Sequence, residues 1–191
     1  MIADDAFRDH AKVMQAAASR LPTTLEQIAV ELHQCFGRGN KLLACGNGGS
    51  ASDAEHLVAE LVGRYRDERR ALPAMALAGG MATITAVAND YGYETVFARQ
   101  VEAVAQPGDL LFAISTSGNS RNVLAAVQAA RARSCRVVGF TGESGGQLAS
   151  QVDVLVAAPS KTTARIQEVH ILCIHIICEA LDRHLLNQAA R

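Results

Sequence analysis

Four hydroxyls surround a glycine in Ser115-Thr116-Ser117-Gly118-Asn119-Ser120, between an apolar run at 109–114 and a helical run starting near Arg121. A strand feeding such a turn and then a helix directs O–H donors and free backbone N–H groups at one point. The helix N-terminus adds partial positive charge there, so a phosphate is held without a Lys or Arg. One Ser or Asn suffices to cap a helix. Four hydroxyls exceed that need, and the segment reads as a phosphate site. A second loop, Gly46-Asn47-Gly48-Gly49-Ser50, follows another apolar run and lets backbone approach a ligand closely. Its glycines fit neither G-x-G-x-x-G nor a P-loop, and a tight turn without a ligand remains the plainer reading.

Acid–base chemistry has two candidate carriers. His56 and Glu60 stand four residues apart on one helix face that extends to Arg64. An imidazole and a carboxylate at this spacing can share a metal or divide proton transfers, although a surface hydrogen bond needs no more than the same pair. Near the C-terminus, Gln167, Ile171 and His175 follow at i+4 steps. His175 lies inside the apolar run 171–178, where a histidine must be desolvated; a core histidine with one partner would look the same. Gln167 and His175 are roughly 12 Å apart along a straight helix, so sharing a metal requires both side chains to lean inward.

The elements that must position these groups alternate along the chain. Residues 4–20 form an amphipathic helix stopped by Leu21-Pro22, and Thr23 or Thr24 caps a second helix to about Phe36. Strands are expected at 41–45, 73–78, 109–114, 135–140 and 152–157. Helices are expected at 50–66, 80–88, 94–105, 120–133 and 162–186. Continuous apolar strands separated by helices mean a parallel sheet covered on both faces, that is, one α/β domain over 1–191. Ligands in such sheets lie outside the strands' carboxyl ends. The first helix carries Phe7, Ala11, Met14, Ala17 and Ala18 at helical spacings, an apolar side that must be buried somewhere.

Composition limits the function classes. The 191 residues are 49% hydrophobic and 19% charged with a net charge of −1, which excludes disorder and a basic nucleic-acid surface. Three Tyr, five Phe and no Trp leave little for base stacking. No apolar stretch is long enough to span a membrane, and the acidic N-terminus lacks a signal-peptide core. Five cysteines without C-x-x-C spacing read as reduced, buried thiols of a cytoplasmic protein.

Taken together, Cys45-Gly-Asn-Gly-Gly-Ser50 with Asp53-Ala-Glu-His56, Asn89-Asp90-Tyr-Gly92, Ser115–Ser120, and Arg165-Ile-Gln-Glu168 with His175 resemble the phosphoheptose isomerases of the sugar isomerase (SIS) superfamily. The resemblance spans nearly the whole chain. It implies a three-layer α/β/α sandwich with a five-stranded parallel sheet and extra N-terminal helices. The implied activity is isomerisation of sedoheptulose 7-phosphate to D-glycero-D-manno-heptose 7-phosphate, towards lipopolysaccharide heptoses, in a homotetramer with interfacial active sites. It assigns the phosphate to Ser115, Thr116, Ser117 and Ser120, and substrate contacts to Asn47, Gly48, Gly49, Asn89, Asp90 and Gln167. Glu60 and His175 match the family's catalytic pair, Glu60 also contacting substrate. His56, Glu60, Gln167 and His175 match zinc ligands found in some members. The alternative is a non-catalytic SIS module that binds a sugar phosphate or a replication-initiator protein. Retention of Glu60 and His175 favours the enzyme.

Overall fold

The computed structural model describes residues 1–189. Two helices, α1 (Ile2–Arg20) and α2 (Pro22–Gly37), precede the sheet. The first helix stops at Leu21-Pro22 as expected, but neither Thr23 nor Thr24 caps α2. Leu21 ends α1 and begins α2, and Pro22 occupies the first turn. Proline suits that position: its φ is preset and its missing N–H would be unpaired there anyway.

The remaining elements are β1 (Leu42–Gly46), α3 (Gly49–Val62), β2 (Ala74–Ala76), α4 (Met81–Tyr91), α5 (Ala98–Val104), β3 (Leu110–Ile114), α6 (Arg121–Ala132), β4 (Arg136–Thr141), β5 (Val154–Ala157) and α7 (Thr163–Ala189). All strands pair in parallel, in the order β2-β1-β3-β4-β5. Alternate residues of each strand serve opposite faces. Leu42, Ala44, Leu110 and Phe112 join a core with α2, α3 and α7. Leu43, Cys45, Leu111 and Ala113 join a second core with α5 and α6. This is the expected three-layer sandwich. The strand order reverses direction between β1 and β3, so the two hydroxyl- and glycine-rich loops leave the sheet at its switch point.

At the opposite end of the sheet, Asp109 is fully buried just before β3. Its Oδ1 accepts from Asn40 Nδ2 at 3.1 Å and from the Lys41 N–H at 3.0 Å. Its Oδ2 accepts from Lys41 Nζ at 2.6 Å and from the Gln106 N–H at 2.8 Å. Burial alone would raise this carboxyl, but these donors outweigh it and hold the group below its ordinary value of 3.8.

Candidate active site

The turn after β3 gathers its hydroxyls. Ser115 Oγ lies 2.9 Å from Ser120 Oγ and 3.5 Å from Ser117 Oγ. Ser120 occupies the N-cap of α6, yet its side chain makes no capping bond and faces Ser115 instead. The Ser120 hydroxyl is therefore free of the capping task, while Ser117 Oγ accepts from the Asn119 N–H at 3.1 Å. Gly118 has φ +66, and the backbone of Gly145 fills the space a Cβ would need. Segment 142–148 backs the turn: the Gly142 N–H donates to the Thr116 carbonyl, and the Leu148 N–H to that of Gly118, both at 2.9 Å. His170 of α7 braces that segment, donating from Nε2 to the Thr141 carbonyl at 3.0 Å.

His170 is the desolvated histidine of α7; His175 is not. His170 has no exposed surface, its Nδ1 lacks a partner, and its ring meets Phe140 edge-on. Burial, opposed by the hydrogen bond to Thr141, lowers its pKa from 6.5 to about 4. His175, five residues on, is only half-buried and opens towards α3. The apolar run around it faces the core through Ile174, Ile177 and Cys178 instead.

The glycine loop enters α3 through Gly48, at φ +57, and Gly49. Asn47 has a bracing role that its sequence position does not reveal. Its amide exchanges two hydrogen bonds with Asn122 of α6, at 2.8 and 2.9 Å, and its Oδ1 also accepts from the Tyr93 hydroxyl. Asn122, buried in the first turn of α6, thus ties the glycine loop to the hydroxyl turn. Asn89 and Asp90 lie exposed near the end of α4, hydrogen-bonded to each other at 2.8 Å.

Between α3 and α7, His56 Nε2 stands 3.0 Å from Glu60 Oε1 and 3.1 Å from His175 Nε2. All three groups offer ligand atoms within 4.8 Å of one another. A single proton on His56 Nε2 cannot serve both neighbours at once. Atoms facing a common point in this way suit a cation: tetrahedral zinc, with ligands about 2.0–2.1 Å away, sets neighbouring ligand atoms about 3.3 Å apart. Gln167 packs against Gly49 and lines the same groove as His56, two turns up α7 from His175. The two imidazoles and the carboxylate that converge here are donors of the kind zinc takes. The helical face does not extend to Arg64, because α3 ends at Val62 with Gly63 as its C-cap. Arg64 turns to the Arg66 carbonyl and the Glu68 carboxylate.

Sequence reasoning passed over Asp53 as a site residue, though it sits one turn before His56. It is 8% exposed, lines the same groove, and has a buried Oδ2 without a partner. Burial pushes its carboxyl up from 3.8 to about 6, against the pull of His56. The i,i+3 spacing to His56 was the available signal. Tyr65 was also missed; its ring stacks on that of His175 with centroids 5.6 Å apart.

Comparison with known proteins defines the class first. The SIS domain family model matches residues 7–142, so the chain belongs to the SIS domain family. The chain is 52% identical over 184 residues to the phosphoheptose isomerase of Thiobacillus denitrificans, covering 95% of this chain and 93% of that one. It is 50% identical over 187 residues to that of Shewanella frigidimarina, covering 96% and 95%. The solved phosphoheptose isomerase of Neisseria gonorrhoeae superposes with a TM-score of 0.90 at 43% identity, over 95% of this chain and 97% of that one. That of Francisella tularensis gives 0.92 at 38% identity, over 95% and 96%. Within the SIS class, this chain belongs to the phosphoheptose isomerase family.

Proposed function

We propose that the chain interconverts sedoheptulose 7-phosphate and D-glycero-D-manno-heptose 7-phosphate, supplying heptose for lipopolysaccharide. The observation that carries this reading is the convergence of Glu60 Oε1 with the Nε2 atoms of His56 and His175. A non-catalytic phosphate-binding module has no need of such a cluster.

Glu60 removes the C1 proton of the open-chain ketose, while His175 protonates the C2 carbonyl oxygen, giving the enediol. Glu60 then returns its proton to C2, and His175 takes the proton from the C1 hydroxyl, leaving the aldehyde. The contact with His56 Nε2 holds one carboxylate oxygen of Glu60 and leaves the other for carbon. Tyr65 holds the plane of the His175 ring. The hydroxyls of Ser115, Thr116, Ser117 and Ser120, with the α6 N-terminus, anchor the phosphate and supply positioning far from the reacting carbons. Zinc held by His56, Glu60, Gln167 and His175 would supply Lewis-acid polarisation of the carbonyl.

The assembly we propose is a homotetramer with interfacial active sites. Helix α4 buries none of its residues and leaves Met81 76% exposed; Phe7 of α1 is likewise 76% exposed. Val13 and Ala17 of α1 are buried against the chain's own core, so α1 divides its apolar side between its own fold and the outside. Glu60 lies eleven residues into α3, roughly 16 Å from its start beyond the carboxyl end of β1. A seven-carbon ligand anchored on a hydroxyl turn reaches such a carboxylate more readily across an interface. The five free, buried cysteines support a reducing, cytoplasmic setting.

Glu60→Gln keeps the side chain's shape and removes the proton acceptor. With sedoheptulose 7-phosphate followed by NMR, aldose formation should fall by at least about 10²-fold while phosphate affinity is retained. Near-normal turnover would remove Glu60 from the chemistry and return the chain to the binding-module reading.

A further inference from the structure

The last turn of α3 carries the proposed base, and the last carbonyls of a helix have no partners within it. The following segment supplies one. Arg69 is buried to 5% exposure and uses all three guanidinium nitrogens. Nη2 donates to the carbonyl of Glu60 itself at 2.6 Å. Nη1 donates to the carbonyls of Leu61 at 2.9 Å, Gly63 at 3.3 Å and Arg70 at 3.1 Å. Nε donates to Asp182 Oδ1 at 2.8 Å. Asp182 is 3% exposed and stands on α7 seven residues, or two turns, beyond His175. The guanidinium therefore joins the backbone of the residue carrying the carboxylate to the helix carrying the imidazole.

Stability alone does not account for this pair. Asp182 Oδ2 is buried without a partner. A buried ion pair that leaves an acceptor unsatisfied is often no better than a well-packed apolar pair of the same volume. What an apolar pair could not supply is a directional lock, because leucine and methionine have no donors for the carbonyls of Glu60, Leu61 and Gly63. The same segment stacks Tyr65 on His175, and Arg66 lies over the Tyr65 ring while pairing with Glu179 of α7 at 3.2 Å. We infer that Arg69 and Asp182 are positioning residues that set the register of α3 against α7 and hence the approach of Glu60 to His175. The inference rests on the assignment of those two groups as the proton-transfer pair.

The test compares the wild type with Arg69→Lys, Asp182→Asn and the double variant Arg69→Met/Asp182→Leu, with Glu60→Gln as reference. Turnover of sedoheptulose 7-phosphate is measured per folded molecule, well below each melting temperature, and inorganic phosphate binding is titrated separately. A misplacement of about 1 Å at the reacting groups costs on the order of 10²-fold in rate. We therefore expect kcat to fall about 10- to 100-fold in each variant, with KM and phosphate affinity within about threefold of wild type. The double variant should melt at or above the wild-type temperature. A folded double variant with wild-type kcat overturns the inference, as does a kcat loss that only parallels lost stability. Should the double variant not fold, Asp182→Asn, which keeps the shape, gives the deciding kcat. An active Glu60→Gln overturns instead the assignment on which the inference rests.

Discussion

Two buried aspartates in the sheet's α/β core have opposite circumstances. Asp109, before β3, has both oxygens saturated by four donors and a carboxyl held below its ordinary value. Asp53, on α3 beside His56, keeps a buried oxygen without a partner and a carboxyl pushed up to about 6. One carboxylate is stabilised by its surroundings and the other is tolerated by them. The difference separates the part of the molecule that holds the fold from the part held open for a ligand, since unsatisfied buried groups persist where function needs them.

Asp109→Ala attacks the satisfied end and should have the largest effect. Lys41, Asn40 and Gln106 would lose their acceptor, and removing one partner of a buried pair costs about 3–5 kcal/mol. Chemical denaturation should show this loss, while turnover per folded molecule well below melting stays near wild type. A large fall in turnover would mean that the two ends are not separable.

His170 sharpens the contrast through pH. Its folded pKa lies below its unfolded one, so its neutral form is stabilising above about 6.5 and that stability is lost as pH falls towards about 4. The full loss is on the order of 3 kcal/mol. His170→Gln should flatten this part of the stability profile; an unchanged profile between pH 6.5 and 4 would mean the ring is not held neutral.

Asp53→Asn should move stability in the opposite direction to Asp109→Ala. The folded pKa of Asp53 is raised, so its penalty is absent below about 3.8 and fully present above about 6. The variant should therefore gain about 2–3 kcal/mol at pH 7 and nothing at pH 3.5. Equal effects at both pH values would remove ionisation from the explanation.

The smallest expected effect concerns the hydroxyl turn. Ser115→Ala should weaken sugar-phosphate binding by about 1.5–3 kcal/mol and leave non-phosphorylated analogues nearly unaffected. Calorimetric titration of both ligands gives the comparison, and equal weakening would make the effect structural.

How much of this was legible in the sequence follows from how local each signal is. The runs that became β1 and β3 read correctly because a covered parallel strand is apolar throughout. The edge strand β2 was overdrawn, since it pairs on one side only and keeps three residues. Helix α3 was read four residues too long because Gly63, its C-cap, was passed over in favour of the later arginines. The hydroxyl turn and the His56–Glu60 pair were readable because turn chemistry and i,i+4 spacing are local. Asp53 was within reach through its i,i+3 spacing to His56, whereas Asn122, Arg69 and Asp182 were not readable as site residues. Their significance lies in partners supplied by distant elements: Asp182 follows Arg69 by 113 positions. The mistaken desolvation of His175 has the same origin: two histidines five apart on an apolar helix point in different directions, and only packing shows which faces inward.

The Lys41–Asp109 pair closes a loop of 68 residues, and β1 and β3 are neighbours across that whole interval. Parallel pairing over such a separation must absorb its loop-closure entropy before the contact stabilises anything. The central pairing of this sheet is therefore costly to close, and until it closes the apolar run 42–46 lacks its strand partner. The saturated carboxylate at the base of β3 ties the two ends of that long interval together once the sheet is complete.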